Sequence, residues 1–144
     1  MNGERMLGLD IGSKRIGVAI SDEMGMLASP VGMVERGKND RAAFRKLIAE
    51  WQPGRLVAGL PTGMSGREGP QAAETRAYAD ALAAELDLPL DYWDERLSTT
   101  VAERSLIEAG VRRERRKEKI DAMAAAVMLQ GYLDHQRFRS NRGR

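Results

Sequence analysis

The chain has 144 residues, 42% of them hydrophobic and 31% charged, with a formal net charge of +2, which suits one globular domain with its own core. It contains no cysteine, so disulfides, thiolate nucleophiles and cysteine-ligated metal centres are excluded, and its one histidine excludes a histidine-rich metal site. No apolar run is long enough to span a bilayer and no signal-peptide pattern opens the sequence, so we expect a cytoplasmic protein.

The first part of the sequence predicts three antiparallel strands. Short apolar runs alternate with glycine over residues 5–20, which indicates a strand, a tight turn and a second strand. A third strand is predicted at about residues 26–34. Pro30 within it favours the edge of the sheet, because proline has no N–H to donate to a neighbouring strand.

Helices and strands alternate in the next part of the chain. Apolar residues at helical spacing follow Asp40, which we expect to cap a helix that ends before Pro53. The apolar run at residues 56–60 is typical of an interior parallel strand. Pro70 is suited to the start of a second helix, and a fifth strand is predicted to end at Asp94.

Two more helices are predicted after the fifth strand. The first is closed by Gly110, and the second places Asp121 on one face with Ala124, Ala125, Met128 and Tyr132. This order predicts an α/β fold with one mixed five-stranded sheet, in which a three-strand antiparallel meander is followed by parallel strands and helices flank the sheet. We assign residues 1–136 to this domain and residues 137–144 to a basic, disordered tail.

Three carboxylates are placed where they can share one edge of the predicted sheet. Asp10 ends the first strand, Glu95 follows the fifth, and Asp121 lies in the first turn of the last helix. The carboxyl ends of parallel strands meet at the edge where open α/β sheets bind ligands. Oxygen ligands favour Mg²⁺ or Mn²⁺, and two such ions can hold the attacking and leaving oxygens of a phosphodiester. Each of the three also has a purely structural explanation. Asp10 would form a turn, and Glu95 and Asp121 would be charges that interact favourably with a helix dipole.

Four blocks of sequence resemble the signature of a known family. They are residues 10–19 with Ser21 and Asp22, residues 59–61, residues 94–99, and residues 119–122 with Ala124 and Ala125. In this order they resemble the blocks of the YqgF family, also called RuvX. Its members are RNase H-like proteins similar to the Holliday junction resolvase RuvC and are described as pre-16S rRNA nucleases. The resemblance covers nearly the whole chain before the basic tail.

The resemblance implies an RNase H-like fold and a divalent-metal site, with Mg²⁺ or Mn²⁺ held by Asp10, Glu95 and Asp121. It implies a metal-dependent nuclease that matures the 5′ end of pre-16S rRNA, with ribosomal precursor particles as partners, or else resolves Holliday junctions in branched DNA. Ala124 stands where RuvC-like resolvases carry a second carboxylate on that helix. A fourth ligand would then be water, a substrate phosphate or Asp94.

The small net charge conceals an uneven distribution. Residues 112–144 hold ten Lys and Arg against four Asp and Glu, whereas residues 1–111 hold thirteen against seventeen, which predicts a polyanionic partner for the basic end. The candidate nucleic-acid contacts are Lys14, Arg15, Arg67, Arg112, Arg113, Arg115, Arg116, Lys117 and Lys119. The alternative for residues 112–119 is a solvated surface segment without a ligand.

Two other classes of function stay open at this point. A non-catalytic RNA-binding or ribosome-binding module would keep the same fold and the same basic end. An actin-like phosphotransferase also begins with a strand followed by Asp-x-Gly, as at residues 10–12, but needs two such lobes around its nucleotide. Junction resolution requires a dimer with two active sites, whereas a single cut requires one, so both a monomer and a homodimer fit the sequence.

Overall fold

A computed structural model of the chain describes residues 4–61, 69–94 and 122–142. The elements in these ranges are β1 (Met6–Ile11), β2 (Arg15–Ser21), β3 (Ala28–Glu35), α1 (Asp40–Trp51), β4 (Arg55–Leu60), α2 (Pro70–Leu86), β5 (Leu90–Asp94) and α3 (Met123–Arg142). The predicted helix that ends at Gly110 lies outside these ranges. Among the three helices described, none has both the length and the apolar character needed to cross a bilayer.

The five strands form one mixed sheet in the order β3-β2-β1-β4-β5. β1 and β2 pair antiparallel, as do β2 and β3, whereas β4 runs parallel to both β1 and β5. The predicted α/β architecture, an antiparallel meander followed by parallel strands, is therefore confirmed. Pro30 lies in β3 at an edge of the sheet, where its missing N–H leaves no gap in a ladder.

Alternation along the strands divides the core between the two faces of the sheet. On one face, Leu7 and Leu9 of β1 pack with Phe44 of α1 and Leu82 of α2, and all four are fully buried. We call this the α1/α2 face. The other face, the α3 face, buries Ala125, Ala126, Met128, Leu129 and Leu133 of α3 against the sheet.

One side chain of α3 binds the backbone at the end of the β2–β3 turn. The Gln130 Oε1 atom accepts a hydrogen bond of 2.9 Å from the Ala28 N–H, and its Nε2 donates one of 2.9 Å to the Met26 carbonyl. The Arg137 guanidinium donates to the same carbonyl at 3.0 Å. These bonds join α3 to a turn more than 100 residues earlier in the chain.

Two element boundaries differ from the sequence-based expectations, and each has a local cause. β3 begins at Ala28 rather than near residue 26, because Asp22 Oδ1 accepts hydrogen bonds from the N–H groups of Met26 and Leu27 and holds them in the turn. Asp40 lies inside the first turn of α1 instead of capping it, and the N-cap position is Asn39.

The last helix also differs from its prediction. Ala125, Met128 and Tyr132 are buried as expected, but Ala124 is exposed, so the buried stripe does not include it. α3 continues to Arg142, so residues 137–142 are helical rather than part of a disordered tail.

Candidate active site

Asp10 lies in the central strand, near the edge where the parallel strands end. Its neighbour Leu9 pairs with Ala58 of β4, and Ala58 pairs with Tyr92 of β5. The carboxyl ends of β1, β4 and β5 therefore reach the same edge of the sheet. Asp94, the last residue of β5, is at this edge, as predicted for a ligand-binding position in an open α/β sheet.

The backbone opposite Asp10 provides space for its carboxylate. Asp10 pairs directly with Gly17 of β2. A Cβ added at Gly17 would lie 3.6 Å from the Cβ of Ala125 on α3 and 3.6 Å from the Cβ of Asp10. Asp10 thus belongs to the α3 face, close to the first turn of α3, where the Met33 Sδ atom also lies 3.6 Å from the Cβ position of Gly17. The sequence did not single out Gly17, although a glycine within a strand can signal such a close approach.

The carboxylate of Asp10 is partly withdrawn from water without compensation. Burial raises the pKa of Asp10 above its usual value. Within the ranges that the structure describes, no cation and no hydrogen-bond donor contacts this carboxylate. A desolvated carboxylate of this kind is stabilised by a bound cation, so Asp10 fits the role of a metal ligand.

The other two predicted ligands, Glu95 and Asp121, lie outside the described residues. Glu95 follows Asp94 directly in the sequence, and Asp121 directly precedes Ala122. Among residues 4–61, 69–94 and 122–142, no group of three acidic or histidine side chains could hold a metal ion. The described part of the chain therefore contains one of the three predicted ligands.

Two of the predicted basic contacts are found on the β1–β2 turn, which follows Asp10. The turn is closed by a 2.9 Å hydrogen bond from the Gly12 N–H to the Arg15 carbonyl. Lys14 is exposed, whereas Arg15 forms an ion pair with Glu35 of β3 at 3.2 Å. The other predicted contacts lie outside the described residues; they are Arg67, Arg112, Arg113, Arg115, Arg116, Lys117 and Lys119.

One residue that was not predicted from the sequence binds the backbone of the β1–β2 turn. Arg36, just after β3, donates a 2.8 Å hydrogen bond to the Gly12 carbonyl and a 2.7 Å bond to Glu74 of α2. Its guanidinium lies 4.3 Å from the ring centre of Tyr78. The contacts join residues 24 and 38 positions apart, so no local sequence pattern indicates them.

The Tyr78 ring also links this corner to a buried carboxylate. The Tyr78 hydroxyl donates to Asp40 at 2.7 Å, and the Arg41 guanidinium lies 5.1 Å from the ring centre. Burial by itself would raise the pKa of Asp40, but the hydrogen bonds from Tyr78 and Gly37 and the charge of Arg41 together lower its pKa below the usual value. Burial, reinforced by Asp40, raises the pKa of Tyr78, so its hydroxyl stays protonated and continues to donate. We call Arg36, Tyr78, Asp40 and Arg41 the clamp.

Comparison with known proteins connects this arrangement with one family. The family model of RuvX, described as Holliday junction resolvase, matches residues 4–135. A protein of Syntrophomonas wolfei named "Putative pre-16S rRNA nuclease" is 48% identical over 132 residues, which cover 90% of this chain and 94% of the relative. A protein of the same name from Cereibacter sphaeroides is 50% identical over 131 residues, covering 90% of this chain and 82% of the relative.

Solved structures agree on the fold. The structure of Thermus thermophilus RuvC in complex with Holliday junction substrate superposes with a TM-score of 0.56, covers 92% of this chain and 96% of the RuvC chain, and is 14% identical in sequence. At that identity the likeness shows a common fold, which is the RNase H-like fold implied by the sequence blocks. With a family model that matches most of its length and relatives near half identity, the chain belongs to the RuvX family.

Proposed function

We propose that this chain is a metal-dependent nuclease that hydrolyses nucleic-acid phosphodiesters at the edge of the sheet marked by Asp10. The observation that carries the proposal is a desolvated Asp10 carboxylate without a counter-charge in the described residues, at the carboxyl end of the central strand. The relatives near half identity carry a nuclease name, which supports the same class of reaction. Folding alone does not explain such a carboxylate, because burying it is costly.

The proposed ligand set is Asp10, Glu95 and Asp121, with Mg²⁺ or Mn²⁺ as the ion. Glu95 is two residues beyond Trp93, which packs on the α3 face, so a strand extended by one residue would bring Glu95 to the face that carries Asp10. Asp121 is four residues before Ala125, the α3 residue beside Gly17, so helical spacing would bring it to the same place. Carboxylate oxygens are the ligands that these ions prefer.

Different residues of the chain would have different roles in the reaction. A bound divalent ion would supply a Lewis acid and lower the pKa of the attacking water. The three carboxylates would fix its position, and the exposed ammonium group of Lys14 would contact a phosphate beside the scissile one. The clamp holds the Gly12 carbonyl through Arg36, so the turn that presents Lys14 keeps one position relative to Asp10.

For the substrate, we propose precursor 16S rRNA, cut near its 5′ end, with the ribosomal precursor particle as the physiological partner. The names of the relatives favour this substrate over a DNA junction. A single cut in one strand needs one active site, so a monomer is sufficient. Junction resolution is the second candidate, favoured by the fold shared with RuvC, and would require a homodimer.

Cleavage by purified protein tests the proposal. The substrates are precursor 16S rRNA and a four-way DNA junction, each with Mg²⁺, with Mn²⁺ and with a chelator. We expect metal-dependent cleavage of the RNA, and a loss of at least about a hundredfold in Asp10→Asn, because several kcal/mol of transition-state stabilisation depend on the metal.

The matched control is Asp87→Asn. Asp87 is an exposed carboxylate that caps α2 with φ of 58°, a conformation that Asn adopts readily, and it precedes β5 at the opposite edge of the sheet. Cleavage by Asp10→Asn at the rate of the wild-type protein would refute the proposed site. RNA binding without cleavage under any metal condition would indicate the non-catalytic binding module instead.

A further inference from the structure

A cleft of about 560 Å³ lies on the α1/α2 face, behind the β1–β2 turn. Ser13 forms one side of it, and Gly37, Lys38 and the clamp residues form the other. The cleft opens at the turn that follows Asp10. It is therefore next to the proposed active site but on the opposite face of the sheet.

The walls of the cleft are fixed by ion pairs and hydrogen bonds. Arg36 pairs with Glu74 at 2.7 Å, Arg41 pairs with Glu85 at 3.0 Å, and both guanidinium groups contact the Tyr78 ring. Asp40, 4% exposed, accepts its bonds from Tyr78 and Gly37. The carboxylates of the walls are thus already engaged by donors.

Two exposed lysine side chains, one in the lining of the cleft and one on the adjacent turn, take part in none of these ion pairs. Lys38 is exposed and, within the described ranges, forms no ion pair, and the same is true of Lys14 on the turn. Gly37 adopts φ of 141°, and a Cβ there would meet nothing within 4 Å, so the space beside Lys38 is open. An anion can reach both ammonium groups from solvent.

We propose that this cleft binds the sugar-phosphate backbone of the substrate strand beyond the scissile phosphate, with Lys38 as its phosphate contact. A strand with its reacting phosphate at Asp10 would pass Lys14 on the turn and then reach Lys38. The Tyr78 ring already contacts the guanidinium groups of Arg36 and Arg41, so we assign the contact to the backbone rather than to a stacked base. The inference rests on the proposed nuclease function and extends it to a second phosphate site.

The test measures how salt changes nucleic-acid affinity. Lys38→Gln is compared with Lys46→Gln, which removes another exposed lysine, on α1 at the groove beside β3. The Asp10→Asn background prevents cleavage, and the probes are fluorescein-labelled RNA from the precursor 16S rRNA 5′ junction and DNA of the same sequence. Each lost phosphate contact lowers the slope of log affinity against log salt by about 0.7 to 0.9.

We expect Lys38→Gln to reduce the slope by about that amount on both probes, because the shared ligand is the phosphate. Lys46→Gln should leave the slope unchanged. A loss confined to RNA would identify a contact to the 2′-hydroxyl and overturn the assignment of Lys38 to a phosphate. Equal slopes for the two variants would overturn the cleft proposal alone. Cleavage that persists in Asp10→Asn would overturn the nuclease site while leaving a Lys38 effect in place, so the two failures are distinguishable.

Discussion

On the α1/α2 face, the sheet buries large side chains such as Leu7, Leu9 and Phe44, whereas on the α3 face Gly8 and Gly17 let a helix rich in alanine approach closely. A Cβ at Gly8 would lie 2.9 Å from the Cβ of Leu129. One face is stabilised by the volume of its side chains. The α3 face also buries large side chains, including Trp93 and Leu129, but its glycines add a close approach of α3 to the sheet, and it is this face that holds Asp10.

The difference shows how the fold reconciles stability with a reactive site. Close approach of α3 brings its first described turn, which carries Ala125, beside Gly17 and Asp10. Leu7, Leu9 and Phe44 are on the opposite face, where the clamp also lies. The carboxylate of Asp10 and the clamp therefore lie on opposite faces of the sheet.

The largest expected effect on stability comes from making a side chain smaller on the α1/α2 face. Phe44→Ala should lower the free energy of unfolding by about 3 to 5 kcal/mol, because Phe44 is fully buried and its removal leaves a cavity. Urea unfolding at pH 7 measures the change. Phe138→Ala, which alters a side chain that is 57% exposed, is the control and should cost much less. Equal losses in the two variants would contradict the packing described here.

The converse change tests the α3 face. Gly8→Ala should destabilise the protein by about 1 to 3 kcal/mol, because the added methyl group would overlap Leu129 and push α3 away from β1. Gly32→Ala is the matched control, since a Cβ at this β3 glycine meets nothing within 4 Å. Its unfolding free energy should stay unchanged or rise slightly, as alanine restricts the unfolded chain. A stable Gly8→Ala protein would show that α3 does not need the close approach.

The smallest expected change in stability is at Asp10. The test is whether the variant is more stable or less stable than the wild-type protein. The folded pKa of Asp10 is raised, so its charge opposes folding, and this penalty grows as pH rises from the ordinary Asp range through the folded pKa. Without metal, the melting temperature of Asp10→Asn should therefore be higher than that of the wild-type protein at pH 7. This difference should be larger at pH 7 than at pH 4. Added Mg²⁺ or Mn²⁺ should raise the melting temperature of the wild type alone. A variant that melts lower without metal would show that the Asp10 charge stabilises the fold.

Local patterns in the sequence were sufficient to predict most of the sheet. Apolar runs and glycine turns located the strands, Pro30 indicated the edge, and Pro70 begins α2 as predicted. One wrong prediction concerns a residue that binds a partner far away in the sequence. Asp40 has the chemistry of a helix cap, yet its carboxylate bonds to Tyr78, 38 residues later. No periodicity within α1 contains that information.

Local patterns in the sequence also predicted part of the candidate site. The position of Asp10 at the end of β1 follows from its place after an apolar run, and the structure confirms that position. The grouping of Asp10 with Glu95 and Asp121 stays a prediction. Arg36 and Lys38 were not predicted, because their roles come from the fold bringing the end of β3 beside the β1–β2 turn. An arginine after a strand has no distinctive spacing.

The side chain of Gln130 binds the backbone of Ala28 across 102 positions of sequence, and this has a consequence for the order of synthesis. A ribosome makes the chain from its amino end, so all five strands are complete before α3 exists. Until then, Ala19 and Val57 lack the contacts that α3 makes with them. The native packing of this face is therefore completed only after α3 has been translated.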